Sequence, residues 1–510
     1  MRISIYSKLL VITGLAILLF FSLGSLSHQG PTIDEPVHFA YGVKVLQGLP
    51  IRASARENST MPVSALNSLL VQNTSSSTYL EPARYATVFF LCLLALLVFC
   101  WGCELYGVAG GLFSLFLFCL DPNLIAHGHL VTTDIYAAFG VTASLYSFWR
   151  FLKYGGISRA FLSAVIVGAS QLMKYTSLWI YVLLLMMIII RFWTWAPKDF
   201  RAKINFRSFL KYFILFAVVS LFIINAGFCF NRPFVPLKDY QFQSHSFQSL
   251  QKIQGINSVP LPLPYPFIQG LDLCEYVNQS GDQFGNIYLR GRLHGPGLKK
   301  GFKSYYLMAM LYKVPLATLF LLMIALVVYF FHRRYYHFRR NEAVLLLPPL
   351  LFLIYCSFFI NANVGIRHIL LIFPLLYVFC GSLMVTWRQY SPFLKTGFLA
   401  LMGYLFLSVL SYFPHFISYF NELVPDRKMS YKVLVDSNLD WGGKEWYLTQ
   451  YIQAHPESIL RPEGPRSGRI IVDVNNLVGV YDPEKYRWLR DHFKPVDQIA
   501  YAYLVFDVPI

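Results

Sequence analysis

Long apolar runs separated by short polar segments dominate the chain. A run of roughly 17–25 apolar residues is long enough to cross a bilayer as a helix. Eleven such spans are predicted, covering residues 9–26, 84–101, 107–121, 134–151, 160–176, 177–193, 210–228, 306–331, 343–361, 367–387 and 396–413. The pattern therefore predicts an α-helical polytopic membrane protein with about eleven transmembrane helices.

Three polar segments, residues 27–82, 229–305 and 414–510, interrupt or follow the spans. The first contains Thr32–Gly48, in which an acidic pair and a proline precede apolar residues at helical spacing. This pattern predicts an amphipathic helix that lies on the membrane surface. In the second segment, the proline-dense run Val259–Phe267 favours a long irregular loop.

In the last polar segment, predicted strands and a predicted helix alternate, as in a small α/β domain. Arg469–Asn475 and Tyr501–Val508 have the β-branched and aromatic composition of strands, and Pro483–Phe493 is predicted as a helix between them. We therefore expect a transmembrane module over residues 1–413 and a C-terminal domain over residues 414–510.

Composition agrees with this class, because 56% of the 510 residues are hydrophobic and only 14% are charged, against about 25% charged in soluble proteins. The net charge of +17 follows the positive-inside rule. With the N-terminus in the cytoplasm, seventeen basic and only three acidic residues fall in the predicted cytoplasmic segments. The charge therefore marks topology rather than a nucleic-acid partner, and it places all three polar segments outside the cytoplasm.

Cysteine use gives one open question. Six of the eight cysteines lie in or beside predicted spans and are interpreted as small apolar residues. Cys229 and Cys274 lie in the second outer segment, where an oxidising compartment would allow a disulfide between them.

Carboxylates at the outer membrane boundary are the main candidates for chemistry. Asp34 and Glu35 follow the first span by about one turn, and Asp134 lies at another boundary that faces the same side. Carboxylates beside a bilayer are costly and usually functional. We expect Asp34 to act as a base with help from Glu35, and Asp134 to be a second acid. Helix capping is the simpler alternative for each site, and binding of a divalent ion, Mg²⁺ or Mn²⁺, by Asp34 and Asp134 is a further one.

Four basic side chains near predicted outer boundaries are candidates for binding a phosphate: Lys174, Lys313, Arg367 and His368. Arginine binds phosphate through its two-pronged guanidinium, and lysine as a point charge. The alternative is that these long side chains only extend to the membrane interface.

Several motifs resemble those of the GT-C superfamily of polyprenyl-phosphate-dependent glycosyltransferases, in particular protein O-mannosyltransferases of glycosyltransferase family 39 and the lipid A aminoarabinose transferase. The motifs are DEPVHFAYG (Asp34–Gly42), DPNLIAHGHLVTTD (Asp121–Asp134), YYLMAMLYKVPLATL (Tyr305–Leu319), GIRHILLIFPLLYVFCG (Gly365–Gly381), YFNELVP (Tyr419–Pro425) and DSNLDWGG (Asp436–Gly443). Together they extend over most of the chain.

This resemblance implies a GT-C membrane module with a periplasmic tail domain, whose motif residues are Asp436, Asn438 and Asp440. It implies transfer, with inversion, of a monosaccharide from a polyprenyl-phosphate donor to a glycan, lipid or protein acceptor. The expected location is the bacterial inner membrane, with the site on its outer face. A transporter or flippase of lipid-linked sugars remains an alternative. A non-catalytic relative is another, because the stretch Asn58–Leu66 departs from the related motif.

Overall fold

Helices make up most of the part of the chain that the computed structural model describes, which is residues 4–71, 80–194, 206–281, 283–295, 301–332 and 341–509. Before the tail, the helices are Ile5–Leu26, Glu35–Leu46, Ser64–Ser68, Leu80–Cys119, Pro122–His127, Asp134–Tyr154, Ile157–Ser170, Trp179–Thr194, Phe206–Gly227, His245–Gln251, Tyr265–Ser280, Tyr305–Lys313, Leu316–Phe331, Glu342–Phe359, Phe373–Cys380 and Pro392–Leu410. The predicted cytoplasmic basic residues at positions 2, 198, 201, 203, 333, 334, 339 and 340 lie outside the described residues.

Each of the eleven predicted spans falls on helical structure, and the protein is an integral membrane protein. Within the described residues, six helical segments are long and apolar enough to cross a bilayer, and Tyr305–Phe331, bent by 109° near Val314, makes a seventh. The remaining difference from eleven has three causes. Two predicted spans share one helical segment, Ile157–Ser170 and Tyr175–Arg191 are short, and Asp134–Tyr154 is more polar.

The segment Leu80–Cys119 is a helical hairpin rather than one straight helix. Its chain reverses at Gly107, which has φ 77° and ψ 177°. A Cβ atom on Gly102 would lie 2.9 Å from the Cα atom of Gly111, so the two limbs pack backbone to backbone. Close approach through small residues is a common way to pack helices in membranes. The hairpin returns the chain to the side on which Asp34 lies.

The two outer segments contain more helix than their composition predicts. Glu35–Leu46 forms the helix predicted there and ends just before Gly48, whose φ of 75° stops it. The prediction of an irregular loop over Val259–Phe267 is wrong at its end, because Tyr265 and Pro266 begin the helix Tyr265–Ser280. Proline is tolerated in a first helical turn, where its missing N–H has no partner to lose. A short hairpin, Ile287–Leu289 with Arg292–His294, follows.

The tail contains a four-stranded sheet with the order Ile459–Leu460, Gly468–Asp473, Tyr503–Val508 and Asp497–Ile499. Its helices are Glu445–Ala454, Val474–Val478 and Arg487–His492. Both predicted strands and the predicted helix exist, with shorter bounds.

The first predicted strand is shortened by a local cap. It ends at Asp473 because the side chain of Asp473 accepts the Asn476 N–H, at 3.0 Å, and so starts a helix. Ile470 and Val472 of this strand share a continuous hydrophobic core with helices of the membrane module.

Candidate active site

Asp34 is the accessible acid of the site. It precedes the helix Glu35–Leu46 but its side chain makes no capping hydrogen bond. Instead its Oδ2 accepts Nη1 of Arg367 at 2.8 Å, and 31% of the side chain is exposed to solvent. The capping alternative therefore does not describe this residue.

Glu35, by contrast, has no exposed surface and no free acceptor. Its carboxylate accepts five hydrogen bonds: two from Arg84 at 2.6 and 2.8 Å, two from Thr32 at 2.9 and 3.1 Å, and one from the Val131 N–H at 2.9 Å. These partners come from three separate segments of the chain. The arrangement favours a structural role in which Glu35 fixes the loop that carries Asp34.

Asp134 is buried and also paired with a cation. Asp134 is the first residue of its helix, Thr133 occupies the N-cap position, and the side chain of Asp134 is only 1% exposed. Its Oδ1 accepts Nζ of Lys174 at 2.5 Å, and Thr132 donates to Oδ2 at 3.3 Å. Lys174 therefore forms an ion pair with a carboxylate, rather than only extending to the membrane interface.

Arg367 links the two acids. It lies in the short helical turn Ile366–Ile372 and interacts electrostatically with Asp34, Asp134 and Asp436. Its Nε is buried without a hydrogen-bond partner among the described residues. One nitrogen of this guanidinium is paired with Asp34, and another has no partner among the described residues. Such a group is suited to bind a second oxyanion.

The electrostatic environment of His38 includes both ion pairs. Burial lowers the pKa of His38 to about 4, with Asp34 and Asp134 opposing the shift and Arg367 and Lys174 adding to it. This agrees with the placement of the two pairs in one region.

His127 has a similar environment. Burial lowers its pKa to about 3, against the effect of Asp134. The Nδ1 atoms of His38 and His127 are buried and, within the described ranges, have no hydrogen-bond partner. Both rings are therefore neutral at physiological pH and can accept or donate one hydrogen bond.

The other two predicted phosphate ligands lie further into the protein. Lys313 is 1% exposed, and its Nζ donates to the carbonyl oxygens of Ile417 and Asn438 at 2.7 and 2.6 Å. Nδ1 of His368 lies 3.2 Å from Oη of Tyr306. Lys313 thus serves as an internal anchor between the membrane module and the tail, and we leave it out of the proposed phosphate site.

The tail-domain motif borders the site. Asn438 accepts the Ile366 N–H at 2.9 Å and so holds the turn that carries Arg367. Burial raises the pKa of Asp436 to about 6, with Arg367 and Asp34 among the charges that it senses. Burial raises the pKa of Asp440 to about 7, and its Oδ1 accepts the Gly442 N–H at 2.9 Å.

A divalent ion does not fit the arrangement as it stands. Asp34 and Asp134 are each bound by a basic side chain, and the described part of the chain contains no group of three or more His, Cys, Asp or Glu residues suited to a metal. Cys229 and Cys274 are both free thiols.

No protein-family model matches the chain, and no curated protein matches it in sequence. Among solved structures, the oligosaccharyltransferase of Archaeoglobus fulgidus, crystallised in complex with Zn and sulfate, covers 95% of this chain and 71% of its own length at a TM-score of 0.50 and 11% identity. The chain has a GT-C fold. ArnT of Cupriavidus metallidurans, bound to undecaprenyl phosphate, aligns over 98% of this GT-C chain and 97% of its own length, at a TM-score of 0.49 and 10% identity.

Two residues that hold the site together carry no signal that the sequence patterns detect. Arg84 begins a predicted span and looks like an ordinary boundary charge, although it binds Glu35. Trp441 follows the acids of the motif DSNLDWGG, and these acids draw the functional prediction, although its indole ring contacts Arg367. In both cases the partner is distant in sequence, so only the fold reveals the contact.

Proposed function

We propose that this protein is a membrane glycosyltransferase that transfers a monosaccharide from a polyprenyl-phosphate donor to a glycan, lipid or protein acceptor outside the cytoplasm. The observation that carries the proposal is the grouping of Asp34, Asp134, Lys174 and Arg367. Two acids and two cations beside apolar helices match what the transfer requires: a proton acceptor, and positive charge for a leaving phosphate.

Asp34 is the proposed base because exposure separates it from the other acids. Its side chain is 31% exposed, whereas those of Asp134 and Glu35 are 1% and 0% exposed. Of these three acids, Asp34 is therefore the one whose carboxylate an acceptor hydroxyl can approach. Glu35 is then a support for the loop, and Asp134 holds Lys174 in place.

The proposed step moves one proton and exchanges one bond. As the acceptor hydroxyl oxygen attacks the anomeric carbon, Asp34 takes its proton. The bond from that carbon to the phosphate oxygen breaks, and its electron pair leaves with the polyprenyl phosphate. Because attack and departure occur on opposite faces, the sugar is inverted. Arg367 and Lys174 stabilise the charge on the departing phosphate.

The proposed place for the prenyl tail begins at a narrow, mostly apolar crevice, which has room for little more than a water molecule until its side chains move. Its lining includes Val141, Trp179, Leu183, Phe352 and Leu371. Trp179 follows Lys174 by only five residues. A tail in this crevice would place its phosphate toward the Lys174 end.

The test is genetic complementation followed by mass spectrometry. A deletion strain of the source organism receives the wild-type gene, the variant Asp34→Asn, or the control Asp239→Asn, whose side chain lies exposed in the second outer segment. We expect the deletion and Asp34→Asn to lack one sugar on an envelope glycan, lipid or protein and to accumulate its lipid-linked form, whereas Asp239→Asn restores the product.

Normal product in the Asp34→Asn strain, at normal protein level, would contradict the assignment of the base. A separate assay uses purified protein in vesicles that contain a polyprenyl-phosphate sugar. Movement of this lipid between leaflets with its sugar–phosphate bond intact would favour the flippase alternative. Release of free polyprenyl phosphate together with a glycosylated acceptor would support the transferase.

A further inference from the structure

The tail domain docks directly on the loop that ends at Asp34. The N–H of Ile33 donates to the carbonyl oxygen of Trp441 at 3.1 Å, and the N–H of Gly30 donates to that of Gly443 at 3.0 Å. The side chain of Gln29 donates to the carbonyl oxygen of Gly442 at 2.9 Å. Three consecutive tail residues are thus joined to the loop by hydrogen bonds.

Two glycines make this contact possible. Gly442 and Gly443 have φ angles of 87° and 76°, in the left-handed region that favours glycine. A Cβ atom on Gly443 would lie 2.7 Å from the carbonyl carbon of Gly30. Any side chain at position 443 would therefore push the tail away from the loop.

The docking places the indole of Trp441 beneath Arg367. Trp441 is buried, and Cζ of Arg367 lies 4.1 Å from the centroid of its ring. The ring centroid of His127 lies 5.6 Å from the ring centroid of the same indole. A guanidinium over an indole face is held by cation–π attraction, which is stronger where water is excluded.

We propose that Trp441 is a positioning residue for Arg367, and that the tail domain thereby supplies one wall of the active site. The indole holds the guanidinium while Nη1 contacts Asp34, so Nε, which has no hydrogen-bond partner among the described residues, remains available for a phosphate. This inference rests on the proposed function for its ligand, a polyprenyl phosphate. The contacts between Trp441, Arg367 and the loop do not depend on that ligand.

Two readouts separate positioning from simple packing. The first is binding of undecaprenyl phosphate to the full-length protein in nanodiscs. The second is modification of Arg367 by phenylglyoxal without any lipid, located by mass spectrometry. Trp441→Phe keeps an aromatic face, and Trp441→Leu keeps apolar bulk without one. Trp446, which is 61% exposed on a helix of the same domain, provides the control Trp446→Leu.

We expect Trp441→Leu to weaken undecaprenyl phosphate binding about tenfold, within the range of buried cation–π contacts, and to speed the modification of Arg367. Trp441→Phe should stay within about threefold of the wild type, because Phe also presents a π face. Trp446→Leu should change neither readout. A packing role alone would instead make the Phe and Leu variants alike.

A second variant tests the docking itself. Gly443→Ala retains the indole but displaces the tail, so it should reproduce both effects of Trp441→Leu. Its control is Gly464→Ala, because a Cβ atom there meets no heavy atom within 4 Å.

The outcomes separate the two claims. Wild-type protein that does not bind undecaprenyl phosphate counts against the proposed function, and the phenylglyoxal readout still decides the role of Trp441. Unchanged Arg367 reactivity in both Trp441→Leu and Gly443→Ala overturns the positioning role.

Discussion

The buried pair between Glu35 and Arg84 gives the sharpest quantitative prediction, for the variant Glu35→Gln. The amide keeps one oxygen, which can still accept the Val131 N–H. The second oxygen is replaced by a donor, so Arg84 Nη2 and two donors of Thr32 lose their acceptor. At about 1 kcal/mol for each unsatisfied donor, the loss is about 3 kcal/mol.

An independent estimate agrees with this figure. Removing one partner of a buried ion pair costs roughly 3–5 kcal/mol. Arg84 retains three carbonyl partners, those of Gln29, Gly30 and Leu26 at 2.6, 2.8 and 3.4 Å, which favours the lower end. We therefore expect Glu35→Gln to reduce the free energy of unfolding by about 3 kcal/mol.

The assay is unfolding of the purified protein in mixed micelles, followed by tryptophan fluorescence, together with turnover of the folded fraction. Asp34→Asn is the contrasting variant, because its pair with Arg367 is partly exposed and should contribute less than the fully buried pair. The double variant Glu35→Gln/Arg84→Gln should recover part of the loss, since the uncompensated charge is gone. A Glu35→Gln protein that unfolds like the wild type but has lost turnover would refute this reasoning and restore Glu35 as a base.

Three other perturbations follow from the same structure. Burial raises the pKa of Asp440 to about 7. The folded chain therefore binds this proton more tightly than the unfolded chain, and stability should fall as the pH rises from about 4 to about 7. Asp440→Asn should reduce this pH-dependent loss of the free energy of unfolding by at most about 4 kcal/mol, as measured by unfolding titrations at several pH values. An unchanged dependence of unfolding on pH would contradict the raised pKa of Asp440. Gly111→Val should open the helical hairpin and abolish membrane accumulation on immunoblots, whereas Gly403→Val, at a site with open space, should accumulate normally. Lys174→Met should lower the free energy of unfolding by about 3–5 kcal/mol, because the carboxylate of Asp134 is left buried and unpaired; adding Asp134→Asn should restore unfolding stability but not turnover.

The membrane helices could be predicted because hydropathy is a local property. All eleven predicted spans fall on helix, and both predicted tail strands exist. The predicted spans 84–101 and 107–121 correspond to the two limbs of the hairpin at Gly107, but their close contact at residues 102 and 111 depends on how the limbs meet in space. The number of crossings does not follow from the pattern, because hydropathy and helix length alone do not distinguish a span from a short packed helix.

The acids of the site could be located, but their roles could not be separated. Asp34 and Glu35 are adjacent in sequence, yet one is accessible and the other has all its acceptors in use. Lys313 looked like a phosphate ligand because lysines at boundaries often are, whereas its partners are two backbone carbonyls. The type of a side chain predicts which chemistry is possible, and its burial and hydrogen bonds determine whether the group is available for that chemistry.

The hydrogen bond between Gly30 and Gly443 joins residues from the two ends of the sequence. A ribosome makes position 30 before almost every membrane span and position 443 after all of them. During synthesis Asp34 is therefore made long before its indole wall exists. The centre can be completed only after the carboxyl-terminal region has been synthesised and has docked on the loop that carries Asp34.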